Sequence, residues 1–537
     1  MHSLKVLIAD EFQNSRQSIK KILASLDINK VSVTSNGKGV IDACRNTAFD
    51  LILCNYNLGK GKNGQQVLEE IRKLGYLKAT SSFVFISAET SRDVVMSLME
   101  TKPDEFLMKP FNQSELIKRI KNLFNKNNEL INIKTAIENE DHKQVISLCQ
   151  AQIANGSHYK PWCQKKLAEA LLESGRYKDV IDYCFALQET KNLDWAMLIE
   201  AKALKEQGST ESAINHLNKL ISIFHNNTAA YDLLASYYKQ VGLTQMAQSS
   251  LESAVKISPY VITRQQTLVD LSLSNGDLST ALKSGQQTLK LSKNSIYASE
   301  NQHLQLAQIV AESIIGDTTP EARKKAQEAF AILSQINKKF PDKDETKLQR
   351  RLVECQVFNS QGKKDQAQAA LQKAQELIKK QPELLSPKIE FELAKTLYTT
   401  GKTVDAEALF QKIIEENPGN RILIAKVNAF IDEPIGVKAR QRAKEENQKG
   451  LDFFEKEMYS EAIDCLVQAQ KFSPTHPGLN MNIIQTALKV MKDKGPTHVL
   501  MDLSFDALHR INHINEKHGQ YKRYLSLKKY LEKHYLN

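Results

Sequence analysis

An acidic pair, Asp10-Glu11, ends the first apolar run of this 537-residue chain; Ser87 ends a later run, and Lys109-Pro110-Phe111 follows another. Brought together, two acids, an ammonium and a hydroxyl can hold a hard cation and neutralise the charge that develops in phosphoryl transfer to a carboxylate. Taken alone, Asp10 and Glu11 are equally a solvated strand end. A fourth run, Asp50-Leu-Ile-Leu-Cys-Asn55, ends in an amide, which is not an anionic nucleophile. The loop after it, Leu58-Gly-Lys-Gly-Lys-Asn-Gly64, brings Lys60 and Lys62 toward that position, where extra positive charge would partly replace a metal. Cys54 beside Asn55 reads as a buried strand residue and not as a redox sensor. The seven cysteines (44, 54, 149, 163, 184, 355 and 465) are widely spaced without a C-x-x-C, which argues against a disulfide framework or a zinc site.

These residues need a scaffold that gathers strand ends. Over residues 1–125 short apolar runs alternate with amphipathic stretches, the pattern of βα units around a parallel sheet. Strands are expected at 6–9, 31–33, 51–54, 83–86 and 105–108, with helices around 14–26, 38–47, 64–74, 91–101 and 112–125. The fold class is therefore α/β, a doubly wound five-stranded parallel sheet of the flavodoxin-like type, with its site at the carboxyl ends of the strands.

In that order the motifs resemble a two-component response-regulator receiver domain, CheY-like, over about 125 of the 537 residues. The resemblance implies that Asp10 and Glu11 hold Mg²⁺, that Ser87 and Lys109 meet the phosphoryl oxygens, and that Phe106 is the switch aromatic. It also implies a cis bond before Pro110. Receivers place the phosphoacceptor Asp where Asn55 stands, so the resemblance implies a degenerate site with at most a weak Mg²⁺ affinity and no standard partner for Lys109. Phe106 lacks a tyrosine hydroxyl, which favours a side chain already turned inward. Natural loss of phosphorylation, an Asp-to-Asn block and a compensating acceptor all remain open for Asn55.

Beyond residue 130 strand signals cease. Gly175, Gly208, Gly242 and Gly276 lie 33, 34 and 34 residues apart, each followed five positions later by Val180, Ala213, Ala247 or Ala281. This is the tetratricopeptide (TPR) period: small residues let paired helices approach, Gly opens the turn and Pro ends the second helix. The clearest unit runs Tyr231, Leu234-Ala235, Tyr238, Gly242, Ala247, Leu251, Ala254 and Pro259. Similar units surround Gly362/Ala367, Gly401/Ala406/Phe410/Pro418 and Gly450/Phe453/Ala462/Ala469/Pro474, and an earlier one surrounds Val145. Spacing after Ala281 becomes irregular, and Ile431-Asp-Glu-Pro-Ile-Gly436 reads as a turn before the last unit. Trp162, Trp195, Tyr231, Tyr237 and Tyr238 are expected in packing within repeats. The organisation expected is a receiver-like domain over 1–125, a helical linker over 126–140, an all-α TPR superhelix over 141–500 and capping helices over 501–537. Within the last segment, Tyr524, Leu527, Leu531 and Tyr535 share one side of a terminal helix.

Lys and Arg number 73 against 62 Asp and Glu, a mild excess of +11. It permits nucleic acid as a partner, but no DNA-binding output domain, zinc finger or aromatic–basic platform follows the receiver. No stretch reaches the ~18 apolar residues of a membrane span, and the start of the chain does not read as a signal peptide, so the cytoplasm is the expected location. The array carries no catalytic constellation, so an enzyme is not expected. The expectation is a two-component signalling adaptor. A sensor kinase or another two-component protein would engage the receiver, and an unknown protein or peptide would lie in the TPR groove. A homodimer or effector contact is expected beside the fifth strand, around Phe106. The alternative is a phosphorelay regulator whose native Asp has been replaced by Asn55.

Overall fold

The computed structural model describes all residues except 1–3, 190, 315–316, 318, 342, 418–426, 428–436, 513, 515–519 and 536–537. Pro418 and the turn expected at Ile431–Gly436 lie outside the described residues.

Five parallel strands, β1 (Lys5–Ala9), β2 (Lys30–Thr34), β3 (Leu51–Asn55), β4 (Ser82–Ser87) and β5 (Glu105–Met108), form one sheet in the order β2-β1-β3-β4-β5. Helices α1 (Gln13–Ala24), α2 (Gly37–Asn46), α3 (Gly64–Lys73), α4 (Arg92–Glu100) and α5 (Gln113–Glu138) connect and follow them. Strands β3 and β4 are buried on both faces, which is why they read as unbroken apolar runs. Their side chains alternate between two cores. Ile8, Leu53, Val84, Ile86 and Leu107 pack with Leu23 of α1 and Ile120 of α5, while Leu7, Ile52, Phe83 and Phe85 pack with Leu68 of α3 and Leu98 of α4. This is the doubly wound arrangement.

Residues 126–138 continue α5 without a break, and Glu140, in the left-handed region at φ 55°, turns the chain into α6 (His142–Ala154). Among the described residues, the regular elements from there on are helices. α7 (Lys160–Glu173), α8 (Tyr177–Gln188), α9 (Asp194–Glu206), α10 (Thr210–Ile223), α11 (Thr228–Gln240), α12 (Thr244–Ile257), α13 (Ile262–Ser274) and α14 (Leu278–Ser292) come first. They are followed by α15 (Glu300–Ser313), α16 (Pro320–Lys339), α17 (Asp344–Ser360), α18 (Lys364–Lys380), α19 (Pro387–Thr399) and α20 (Thr403–Glu416). The remaining described helices are α21 (Val437–Glu455), α22 (Tyr459–Phe472), α23 (Pro477–Lys494), α24 (His498–Arg510) and α25 (Tyr521–Tyr535).

Gly175, Gly208, Gly242, Gly276, Gly362 and Gly401 sit between the helices of successive pairs with φ from 70° to 87°, the region that only Gly enters freely. The phase-marking residues Val180, Ala213, Ala247, Ala281, Ala326, Ala367, Ala406 and Ala462 are all buried. Tyr237 and Tyr238 are buried and Trp162 and Trp195 half-buried within the packed repeats. In α25, Tyr524, Leu527 and Leu531 bury against α22, α23 and α24, closing the last core.

The chain divides into two compact units, 1–271 with 283–299, and 272–282 with 300–537. The receiver-like sheet and the first repeats belong to the same unit.

Candidate functional site

Parallel register decides which residues meet. Ala9 pairs with Cys54, Asn55 with Ile86 and Ser87 with Met108, so Asp10, Asn55, Ser87 and Lys109 all stand at the carboxyl ends of their strands. Around them, three asparagines start helices: Asn36 Oδ1 accepts from Gly39 N at 2.9 Å, Asn112 Oδ1 from Glu115 N at 2.8 Å, and Asn63 forms a capping box with Gln66. Gly64 opens α3 where only hydrogen fits, since a Cβ there would lie 2.6 Å from the Asn55 carbonyl oxygen. The Lys109–Pro110 bond is cis.

Asp10 is the centre of the site. It is 1% exposed, and its Oδ2 accepts from Lys109 Nζ at 2.6 Å and from the Ser15 hydroxyl at 2.7 Å, while Oδ1 accepts from Phe12 N at 3.0 Å. Arg16 Nη1 donates to the backbone carbonyls of Asp10 at 2.6 Å and Glu11 at 3.1 Å, tying the acidic loop to α1. Burial alone would raise the Asp10 pKa; the Lys109 ammonium, the Phe12 N–H and the Ser15 hydroxyl outweigh it and hold the carboxyl below its ordinary value. With an amide at position 55, the counter-charge of Lys109 is Asp10 at the end of β1. Ser15 and Arg16 were not singled out from the sequence. Their signal is positional, since the first turn of a helix that follows a strand end faces that end.

Asn55 is buried at 7% exposure, and Ser87 is buried at 2%, its Oγ accepting from Glu89 N at 3.0 Å. Phe106 is half-buried and packs against the core shared by α3 and α4. Cys54 is fully buried, as expected of a strand residue, and desolvation pushes its thiol pKa far up.

The expectation that Lys62 would supply charge to the site is corrected by geometry. Lys62 Nζ donates to Asn294 O at 2.6 Å and pairs with Glu70 at 2.7 Å, and Lys60 is exposed on the loop. A carboxylate of α3 and a backbone carbonyl of the array thus take up the Lys62 ammonium.

The donor set also tests the fit of Mg²⁺. A divalent cation would have to displace an ammonium from Asp10 and accept a neutral amide at position 55, leaving Glu11 as the second acid. These residues do not fit a tight site. Among the described residues, no cluster of three or more His, Cys, Asp or Glu is placed to hold a metal.

Residues 6–121 match the family model of the response regulator receiver domain, and residues 228–260 that of the tetratricopeptide repeat. Chemotaxis protein CheY-3 of Vibrio cholerae serotype O1 is 25% identical over 122 residues, covering 23% of this chain and 92% of that protein. Chemotaxis protein CheY of Pseudomonas aeruginosa is 25% identical over 125 residues, covering 23% and 99%. A solved receiver domain (CheY-like) of Methanospirillum hungatei JF-1 is 23% identical over 24% of this chain and 98% of its own, with a TM-score of 0.22.

Residues 6–121 are thus a receiver domain with Asn55 at the phosphoacceptor position, joined to a TPR-containing helical region. No helix among the described residues is long and apolar enough to cross a membrane.

Proposed function

We propose that the chain is a non-enzymatic adaptor of two-component signalling, with a receiver that keeps its fold and partner surfaces but does not carry a covalent phosphate. The observation that supports this most is the end of β3. The position that would form the acyl phosphate holds a buried amide, and Lys109 is already neutralised by Asp10 at 2.6 Å. An amide oxygen is a poor nucleophile and its adduct would have no stable form. The remaining charges balance without a ligand, so a cation or a phosphoryl group gains less here than in a site with a third carboxylate.

On this reading signals reach the receiver through protein contacts, from a sensor kinase or another two-component protein, and the TPR array holds a second protein or a peptide in its groove. Mg²⁺ binding is weak. Incubating the full chain with a small phosphodonor and Mg²⁺ tests the reading. No label is expected on the wild-type chain, and the Asn55→Asp variant is the positive control. Stoichiometric acyl-phosphate labelling of the wild-type chain would overturn it.

A further inference from the structure

Within the first compact unit the array grips the receiver on the side of α3 and α4, and the contacts converge on the loop that leaves position 55. Lys62 Nζ donates to Asn294 O at 2.6 Å, and Asn294 Nδ2 donates back to Gly61 O at 2.7 Å. One turn into α3, Gln66 Nε2 donates to Leu291 O at 2.9 Å. The end of α14 and the residue Asn294 just after it are therefore bonded to the α3 end of the loop between β3 and α3 and to the first turn of α3.

A second grip holds α4. Ser97 and Ser258 hydroxyls lie 3.0 Å apart, both buried. Tyr260 packs onto the core cluster that contains Val67, Leu68, Val94 and Leu98 and that also takes Phe106. Arg264, with a side chain 2% exposed, forms paired bonds to Glu100 of α4 at 2.7 and 3.1 Å and to Asp232 of α11 at 2.7 and 2.8 Å. The guanidinium also donates to Ser258 O at 3.3 Å, and a fork to two carboxylates fixes orientation as well as distance.

We infer that this double grip makes the array the controlling partner of the receiver: the position of the 58–63 loop and of α4 is set from residues 258–264 and 291–297. The direction of this control rests on the reading that position 55 carries no phosphate. In a receiver with a phosphoacceptor, occupancy of the pocket would compete to set the same loop. The interface joins single polar bonds, exposed at Asn294 and buried at Ser97, Ser258 and Arg264, to the packing of Tyr260, and such bonds can exchange without unfolding either side. It also defines which receiver surface is spoken for. The side of α3 and α4 is occupied by the chain's own repeats.

Hydrogen exchange on the full-length chain, with no phosphodonor present, tests the inference. Asn294→Ala, at an exposed position, and Arg264→Gln both lie in the array. Each is expected to raise exchange about tenfold in receiver segments 58–66 and 92–101 while β1 and β3 stay protected. A third variant closes the grip: Ser97→Cys with Ser258→Cys should form a disulfide under mild oxidation and slow exchange in 92–101. Unchanged exchange in both receiver segments on a chain whose array remains protected would overturn the inference, as would failure of the paired cysteines to link in a folded chain. Covalent labelling at position 55 would defeat the proposed function and leave the exchange result standing, so the two failures are distinguishable.

Discussion

Lys109 and Asp10 are each other's counter-charge, and Asp10 bears the consequence. A carboxylate at 1% exposure beside an ammonium at 2.6 Å is stable only as a pair, so Asp10→Asn removes a charge-assisted bond and leaves Lys109 against an amide. The expected cost is about 2 kcal/mol, read as a lowered urea midpoint at neutral pH. The acid limb follows from the sign of the shift. The Asp10 pKa is depressed in the folded chain, so its contribution is fully present above the unfolded carboxylate value, about 3.9, and is lost as pH falls through the lower folded value. Between wild type and Asp10→Asn, the stability difference should therefore narrow below about pH 4; a gap that stays constant to pH 2 would contradict it. Asn55→Asp makes the converse test. A second acid beside Asp10 repels it and competes for Lys109, so the variant should lose about 1 kcal/mol without a cation and recover it on adding Mg²⁺, whereas wild type should respond little. The acids, the amide, the hydroxyl and Lys109 were all legible in the sequence, because each ends a strand and strand ends converge in a parallel sheet. The pairing of Lys109 with Asp10, and of Lys62 with Asn294 and Glu70, was not, because long flexible side chains choose their partners only after the backbone has placed the acceptors.

At the scale of elements, the repeat is held by two positions with different demands, and one repeat shows them separately. Gly450 lies inside α21, where an added Cβ would stand 2.7 Å from Leu466 Cγ, and is needed for close helix approach. The turn that follows is opened by Glu457 at φ 59°, a left-handed conformation that costs a non-Gly residue about 1 kcal/mol. Gly450→Ala should destabilise the second compact unit by about 1–3 kcal/mol through overpacking, and Glu457→Gly should stabilise it by about 0.5 kcal/mol once unfolded-state entropy is counted. Opposite shifts in the melting temperature of the full-length chain check the pair. The 34-residue phase was readable because glycines mark the turns of four consecutive repeats; the last repeat was readable from Gly450, Phe453, Ala462, Ala469 and Pro474, although its turn carries a glutamate. The continuous run of α5 from the receiver to residue 138 was not readable. Its apolar positions serve the sheet core first and the repeat core afterwards, so no break in composition separates a receiver helix from a linker.

At the scale of the whole molecule, a helical array should unfold as a sum of repeats and their interfaces, with boundaries wherever neighbours couple weakly. The compact units place that boundary inside the array, with the receiver and residues 126–271 on the same side of it. A receiver attached only through α5 would melt by itself. One gripped by Arg264 through Glu100 and Asp232 should instead melt together with the first repeats. Scanning calorimetry of the wild-type chain should then show two transitions, one containing the receiver with the first repeats and one containing residues 300–537. Arg264→Gln should lower the first by about 2 kcal/mol, discounted from the usual cost of a broken buried pair because Asp232 is 41% and Glu100 23% exposed, and leave the second in place. Glu457→Gly should move only the second. If Arg264→Gln instead splits off a third transition, and pulsed exchange assigns it to residues 4–125, the grip is what makes the receiver and the first repeats one cooperative body. If the receiver already melts alone in the wild-type chain, the contacts of Arg264 are too weak to carry a signal between them.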